Sequence, residues 1–594
     1  MLHQFLEQRL QQAVAAVLPD ARTDALLVRP CPDPKFGDYQ TNALMALAKE
    51  RKINPRQLAT DVLAKLDVAE WCEKVEIAGA GFLNFRLKTA ALAGALQTAA
   101  DGENLFFRKT SAPRTSVIDF SSPNVAKPMH VGHIRSTILG DCLARTLRLL
   151  GHRVITDNHI GDWGTQFGML LQYVRTTQPE AVAQPEQFHI DDLESFYREA
   201  KRQFDNDPAF AQAARQAVVG LQAGDAEALK LWGVFCRESL RHCEEIYQRL
   251  GVKFDYTLGE SFYNPQLKTV VEELQRAGVA RESDGAIAVF FDDVPALKDH
   301  PALVQKSDGA ANYTTSDLAT LAYRLGTWAP NEIIYVTDGR QQLHFQQLFA
   351  IFRRWRPEAR VKLAHVWFGS ILGEDGTPFK TRSGETVRLA ELLDEAAERA
   401  LAVVEQKNPE LSAEQKGEIA RVVGIGAIKY ADLLPNRQTD YVFSWDRMLA
   451  LNGNTAPYLQ YAYARIRSIF RKADQFRVSS SEFRVAQPGS GVELGTRNSE
   501  LETLNLTAPE EIALARHLLN FGLMLEAVAE DYRPNFLCNY LYDLAGHFAR
   551  FYEHCPVLKA EAGTRASRLA ICDLTARVLK QGLEVLGIET LEQM

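Results

Sequence analysis

The sequence predicts a multidomain α/β protein. It should have a small N-terminal α/β module, a Rossmann-type parallel-sheet domain carrying a helical insertion, and a C-terminal all-α bundle. Three observations carry that expectation. Between residues 106 and 375, short β-branched runs alternate with helical stretches, as in a parallel sheet with helical crossovers. Residues 175–250 interrupt the alternation with mostly charged helix. Towards the end, apolar residues recur only at helical spacing: Leu537, Leu541, Leu544, Phe548 and Phe551 form one stripe, and Leu569, Cys572, Ala576, Leu579, Leu583 and Leu586 another. The expected boundaries are 1–105, 106–388 with the insertion, a helical connecting region 389–450, and the bundle 451–594.

In the first module, Leu6, Leu10, Val14 and Val17 mark an amphipathic helix, and residues 24–28 read as a strand. The proline-rich loop 29–34 leads into FGDYQTNALMALAK, a loop feeding a second helix. Residues 75–78 and 82–85 look like hairpin strands around Gly79 and Gly81.

The centre of the chain is 119–141, DFSSPNVAKPMHVGHIRSTILGD. Residues 116–120 are β-branched and apolar, Pro123 and Asn124 break the pattern, and from His133 the apolar residues Ile134, Ile138, Leu139, Leu143 and Leu147 keep helical spacing. His130, Val131, Gly132 and His133 therefore sit at a strand–loop–helix junction, where helix N–H groups and the dipole favour an anion such as phosphate. Gly132 removes a side chain where a ligand would approach the backbone. Taken alone, the tetrapeptide also reads as a helix start with two solvated histidines. A metal pair is disfavoured, because no third His, Cys or Asp lies at ligand spacing and no C-x-x-C occurs.

Residues 153–156 give the next strand, and the Gly-rich loop 158–164 follows its carboxyl end, where doubly wound sheets bind ligands at the switch point. Strands are expected to resume at 286–291, 333–336 and 363–368. Tyr313 and Asp317, four apart at a helix start, share one face. Asp338 to Gln342 follow a strand at its ligand edge. Residues 369–392 are rich in Gly, Asp and Thr around Lys380 and Arg382. In 451–472, Tyr458, Tyr461, Tyr463, Arg465, Arg467, Arg471 and Lys472 interleave aromatic and basic groups, which suits base stacking beside phosphate contacts. Residues 474–508 are Ser/Gly/Gln-rich and unpatterned.

Composition sets outer limits. Net charge −8 and pI 6.0 argue against a dedicated nucleic-acid coat, although a local basic stripe can act within an acidic whole. No apolar run approaches the roughly 18 residues of a membrane span. The first residues open an amphipathic helix rather than a signal peptide. Eight cysteines without paired spacing fit a reducing cytoplasm.

SPN-x-x-K-x-x-HVGH followed by IRSTILGD resembles the ATP-binding signature of class I aminoacyl-tRNA synthetases, in the form carried by arginyl-tRNA synthetases. FGDY with GAGFLNFRL is similar to the N-terminal domain of that family, which contacts the corner of the tRNA, and the C-terminal bundle resembles its anticodon-binding domain. In position, 369–392 resembles the second signature, K-M-S-K-S, whose lysines hold ATP phosphates. Here Phe379 stands where the first lysine belongs and Arg382 replaces the second, a departure that arginyl-tRNA synthetases often show.

The resemblance implies formation of arginyl-adenylate from L-arginine and ATP, then transfer of arginine to the 3′ end of tRNA(Arg). Ser122, Asn124, His133, Tyr313, Asp317 and Gln341, with Glu260 matching less closely, would hold arginine. A guanidinium asks for a carboxylate to take paired N–H bonds and an aromatic face for its charge. His130, Gly132, His133 and Lys380 would hold ATP. Lys127, His130, His133, Lys380 and Arg382 would carry the chemistry. Tyr458, Tyr461 and Arg465 would contact tRNA. Mg²⁺ is expected with ATP, without a structural metal. The enzyme is expected to be a cytoplasmic monomer without membrane contact, in which arginine activation waits for tRNA. The alternatives are a nucleotidyltransferase of another pathway sharing H-x-G-H, and a catalytically inactive tRNA-binding relative.

Overall fold

The computed structural model describes residues 1–24, 26–102, 105–125, 127–185, 188, 193–379, 387–478 and 504–594. At its centre is a five-stranded, all-parallel sheet. In spatial order its strands are Lys362–His365, Glu332–Tyr335, Thr115–Asp119, Arg153–Asn158 and Tyr256–Thr257. Glu332–Tyr335 is buried throughout and Thr115–Asp119 almost so, as expected of strands covered on both faces. The chain runs outward from Thr115–Asp119 in one direction and later returns on its other side. The switch point therefore lies between Asp119 and Tyr335, not after 153–156 as the sequence suggested.

The Val131–Leu149 helix crosses over from the first of these strands to the second. It packs unusually close, because a Cβ on Gly140 would lie 2.1 Å from the Phe120 ring. Between Arg153–Asn158 and Tyr256–Thr257 stand the helices Thr165–Thr177, Pro179–Ala183, Leu193–Asn206, Pro208–Gln222 and Ala226–Leu250. All five contribute to an apolar core of their own around Phe167, Leu170, Phe196, Phe210 and Phe235, with Ala181 from the second.

The strand expected at 286–291 is Ala286–Val289, and it does not join the parallel sheet. It lies in an antiparallel trio between Ala302–Gln305 and Arg281–Ser283. Asp284 (φ 52°) and Gly285 (φ 77°) make a two-residue hairpin with both central residues left-handed, which holds the strand to its sequence neighbour. In the N-terminal module the predicted hairpin is present as Cys72–Ala78 and Phe82–Leu87 within a four-stranded antiparallel sheet. The strand placed at 24–28 is instead Arg29–Pro30, paired with Tyr39–Thr41, which the sequence reading had left as loop.

The helices Leu389–Lys407 and Ala413–Leu433 lead to Ala456–Val478 and then to Pro509–Leu518, Phe521–Asp531, Asn535–His554 and Ala562–Val585. Both predicted stripes face inward, with Leu569 at the margin. Of 474–508, residues 479–503 lie outside the described residues. Contrary to the sequence expectation, one stretch, Pro509–Asp531, is long and apolar enough to cross a membrane. It is two helices, and both pack against Asn535–His554.

The bundle is not a separable unit. Its core is continuous with that of the N-terminal module and of the Val131–Leu149 helix. The buried Lys429 Nζ donates to the carbonyls of Leu250 and Gly587, and Tyr532 OH donates to the Glu332 carboxylate on the sheet.

Candidate active site

The loops leaving the carboxyl ends of Thr115–Asp119, Arg153–Asn158 and Glu332–Tyr335 converge at the switch point. What anchors them is a buried arginine. Arg324 Nη2 lies 2.7 Å from Asp119 Oδ2 and 2.8 Å from Asp157 Oδ2, and all three side chains are enclosed. Losing one partner of such a set leaves an uncompensated buried charge, so it holds two strand ends together. Asp119 in turn accepts from Ser122 Oγ at 2.9 Å, and Asn158 Oδ1 accepts from the Ser122 N–H at 3.0 Å. Ser121 (φ 69°) and Ser122 (φ 47°) are both left-handed, a costly conformation for serine. It is held by Ser136 Oγ, which accepts the Ser121 N–H at 2.8 Å, and by Tyr247 OH, 2.8 Å from Ser121 Oγ. Asn124 pairs as an isolated bridge with Gly161 and so ties this loop to the Gly-rich one.

At the start of the Val131–Leu149 helix, the expected histidine junction is present with a different internal logic. His130 Nδ1 accepts the Gly132 N–H, and His133 Nδ1 accepts the His130 N–H, each at 3.1 Å. These nitrogens being acceptors, a neutral ring carries its proton on Nε2. Burial favours the neutral form of both rings. His133 falls to about 4, and His130 is lowered by burial first and then by the positive charges of Lys127 and Arg340. Gly132 also leaves room for the His130 ring: a Cβ there would sit 2.8 Å from His130 Cε1. Its N–H is also already taken by His130.

Lys127 is exposed, with Nζ over the Tyr197 ring at 5.4 Å. Arg340, which sequence reasoning passed over, is 87% exposed and held by Asp338 through contacts of 2.8 and 2.9 Å. Gln341 ends the same turn and is exposed.

Asn312 caps the Tyr313–Trp328 helix, placing Tyr313, 59% exposed, and Asp317 one turn apart as expected. Arg324 follows Asp317 by two turns on the same face. Asp162 accepts from Ser261 N and Oγ at 2.8 and 2.6 Å, fixing the short turn that begins with Glu260. Burial chiefly raises the Glu260 pKa to about 7. His159 opposes that rise, while the negative charges of Asp317 and Asp162 add to it. The Asp317 charge is thus felt at Glu260. His344, unmarked in the sequence reading, sits with Nε2 2.6 Å from Asp317 Oδ2.

Lys380 and Arg382 lie outside the described residues. The segments flanking them are anchored. Val131 N–H donates to Val387 O and Leu389 N–H to Met129 O, both at 2.9 Å, so the chain returns directly to the histidine junction. Phe379 stacks on Phe443 with centroids 4.4 Å apart. Tyr458, Tyr461 and Arg465 sit apart from these groups on the Ala456–Val478 helix. Tyr461 is 47% exposed, while Tyr458 rests near Tyr542 and Arg465 over Tyr552. The rest of that stripe is partly spent inside the fold, since Tyr463, Arg467 and Arg471 all bond to Glu592.

Comparison with known proteins bears on the whole chain. Residues 96–445 match the family described as tRNA synthetases class I (R), catalytic domain. Residues 459–594 match the DALR anticodon binding domain, and 4–87 the arginyl tRNA synthetase N terminal domain. The chain is 49% identical to the arginine–tRNA ligase of Laribacter hongkongensis and 47% to that of Chromobacterium violaceum, covering 100% of both chains in each case. In structure it is similar to the arginyl-tRNA synthetase of Plasmodium falciparum, with TM-score 0.82 and 30% identity over 100% of this chain and 99% of that one. It also resembles the Thermus thermophilus enzyme, with TM-score 0.80 and 27% identity over 100% of each.

Proposed function

The chain belongs to the arginyl-tRNA synthetases and is an arginine–tRNA ligase, and from that premise we propose how its own residues divide the work. The full-length likeness sets aside both a nucleotidyltransferase of another pathway and an inactive relative.

The observation that supports the arginine site is the Glu260 carboxyl, raised chiefly by burial and further by the negative charge of Asp317. Two like charges held together need a cation between them. Arginine supplies two, the guanidinium and the α-ammonium. On this reading Asp317 takes the guanidinium beside the exposed ring of Tyr313, Glu260 takes the α-ammonium, and Ser122, Asn124, His133 and Gln341 supply neutral polar contacts. Asp317→Ala should raise the KM for arginine at least about tenfold, the worth of a charged hydrogen bond, with little change in the KM for ATP. An unchanged arginine KM would remove Asp317 from the site.

ATP is the co-substrate. In activation the arginine carboxylate attacks the α-phosphorus in line and pyrophosphate leaves. The protein positions the reactants and meets growing negative charge. His130 and His133 would do so with neutral Nε2–H donors fixed before the substrate arrives, and Lys127 and Arg340 with full positive charge. Mg²⁺ would arrive with the phosphates; among the described residues no three acidic, His or Cys groups gather to hold one. Lys380 and Arg382 are proposed to close on the phosphates from the second signature. Tyr458, Tyr461 and Arg465 would stack and pair with tRNA(Arg), whose 3′ end then takes the arginine. The N-terminal module would contact the corner of the tRNA. We also propose that activation waits for tRNA and that the enzyme acts as a cytoplasmic monomer.

A further inference from the structure

We propose that His344 is a positioning residue for arginine, setting the plane in which Asp317 presents its carboxylate to the substrate; this rests on the reading of Asp317 as the guanidinium partner. His344 lies in the first turn of the Gln342–Trp355 helix, three residues beyond Gln341. Its side chain is 14% exposed, and Nε2 lies 2.6 Å from Asp317 Oδ2. The ring is fixed on two further sides. It meets Tyr313 edge-on, with centroids 4.8 Å apart, and Phe345 at 5.2 Å. Nδ1 is buried and, among the described residues, has no hydrogen-bond partner, so the polar contact seen there is made through Nε2.

That arrangement has a directional consequence. The last torsion of an aspartate is broad and twofold, so an unrestrained carboxylate samples many planes. A donor on one lone pair of Oδ2 selects one plane and leaves Oδ1 and the other Oδ2 lone pair to take the paired N–H groups of a ligand. A guanidinium is a flat fork whose N–H groups must meet a carboxylate in plane, whereas an ammonium accepts almost any direction. Because the same imidazole touches both Tyr313 and Asp317, it also sets the aromatic face and the carboxylate at a fixed angle. His344 thus holds Asp317 in the orientation that a guanidinium can use.

The test compares His344→Leu with His344→Gln. Leucine keeps apolar bulk against Phe345 and loses the donor. Glutamine can place its amide nitrogen where Nε2 stands. Arginine and ATP KM values, kcat in tRNA-dependent pyrophosphate exchange, and Tm are measured for both, with Asp317→Ala alongside. For His344→Leu the expected result is a ten- to hundredfold rise in arginine KM with ATP KM and Tm held, and for His344→Gln an arginine KM within about threefold of wild type. A His344→Leu arginine KM within threefold of wild type, while Asp317→Ala raises it, overturns the proposal alone. So does an equal loss in both His344 variants. An Asp317→Ala enzyme with unchanged arginine KM overturns the arginine-site reading, and this inference with it.

Discussion

His130 and His133 cap their own helix with imidazole nitrogens, each Nδ1 taking a backbone N–H at 3.1 Å, so that the two groups offered to ATP are also structural. Asparagine separates these duties, because its Oδ1 can take the place of Nδ1 while nothing replaces Nε2–H. His130→Asn should keep Tm close to wild type, asparagine being a favoured N-cap, yet lower the activation rate by about two to three orders of magnitude. Thermal melts and pyrophosphate exchange on one preparation check both halves. A variant that exchanges at the wild-type rate would take His130 out of the chemistry. The capping role also has a pH signature. Below pH 6.5 the unfolded chain takes up protons that buried His133 refuses until about 4, so stability is lost as pH falls through that interval.

Glu260 has the opposite sign. Its pKa is raised from 4.5 to about 7, so the fold prefers the acid form. The associated stability is complete below 4.5 and lost as pH rises towards 7. A bound cation needs the ionised form, so arginine binding should release a proton near neutrality. Glu260→Gln should therefore raise Tm of the free enzyme at pH 8 and leave it nearly unchanged at pH 4.5. Its arginine KM should exceed the wild-type value at least about tenfold at pH 8, with the gap narrowing at pH 5.5. A gap independent of pH would show that Glu260 does not titrate in the site.

What could be read from sequence was local. Strand, loop and helix around His130 follow from hydrophobic spacing and from Pro123, and the two C-terminal stripes follow from helical periodicity. The residues that went unread act across long separations. Nothing near Arg324 announces that it is buried between Asp119 and Asp157, apart from its position two turns beyond Asp317. His344 acquires meaning only when its helix is laid beside Tyr313. The left-handed serines at 121 and 122 are held by Ser136 and Tyr247 against their own preference. The Asp284–Gly285 dipeptide is a hairpin signal that would have kept 286–289 out of the parallel sheet. Buried stripes could not show that the bundle shares its core with the catalytic half, because helical spacing reports that a face is covered and not by what.

The second signature leads to the last prediction. Its first lysine is replaced by Phe379, and Lys127, next to the histidine junction, was the sequence candidate to supply the missing charge. After burial, the charge of Lys127 is the next cause lowering the His130 pKa, and its exposed ammonium rests over Tyr197. Lys127→Ala should lower the rate of activation by about two to three orders of magnitude, as for one lost transition-state donor. The sequence also suggested that a lysine restored at 379 would recover part of that loss. The structure reverses this expectation. Phe379 is stacked on Phe443 at 4.4 Å and its N–H is bonded to Ile371 O, so a lysine there would leave a core contact instead of joining the phosphates. Phe379→Lys should lower Tm by roughly 1 °C for each 1 kcal/mol of aromatic packing lost, a small shift in a chain of this size, and should not rescue Lys127→Ala. Exchange rates and melts of the two single variants and the double variant decide it. A Lys127→Ala enzyme within threefold of wild type ends the assignment of Lys127, and a double variant faster than Lys127→Ala would mean that position 379 faces the phosphates after all.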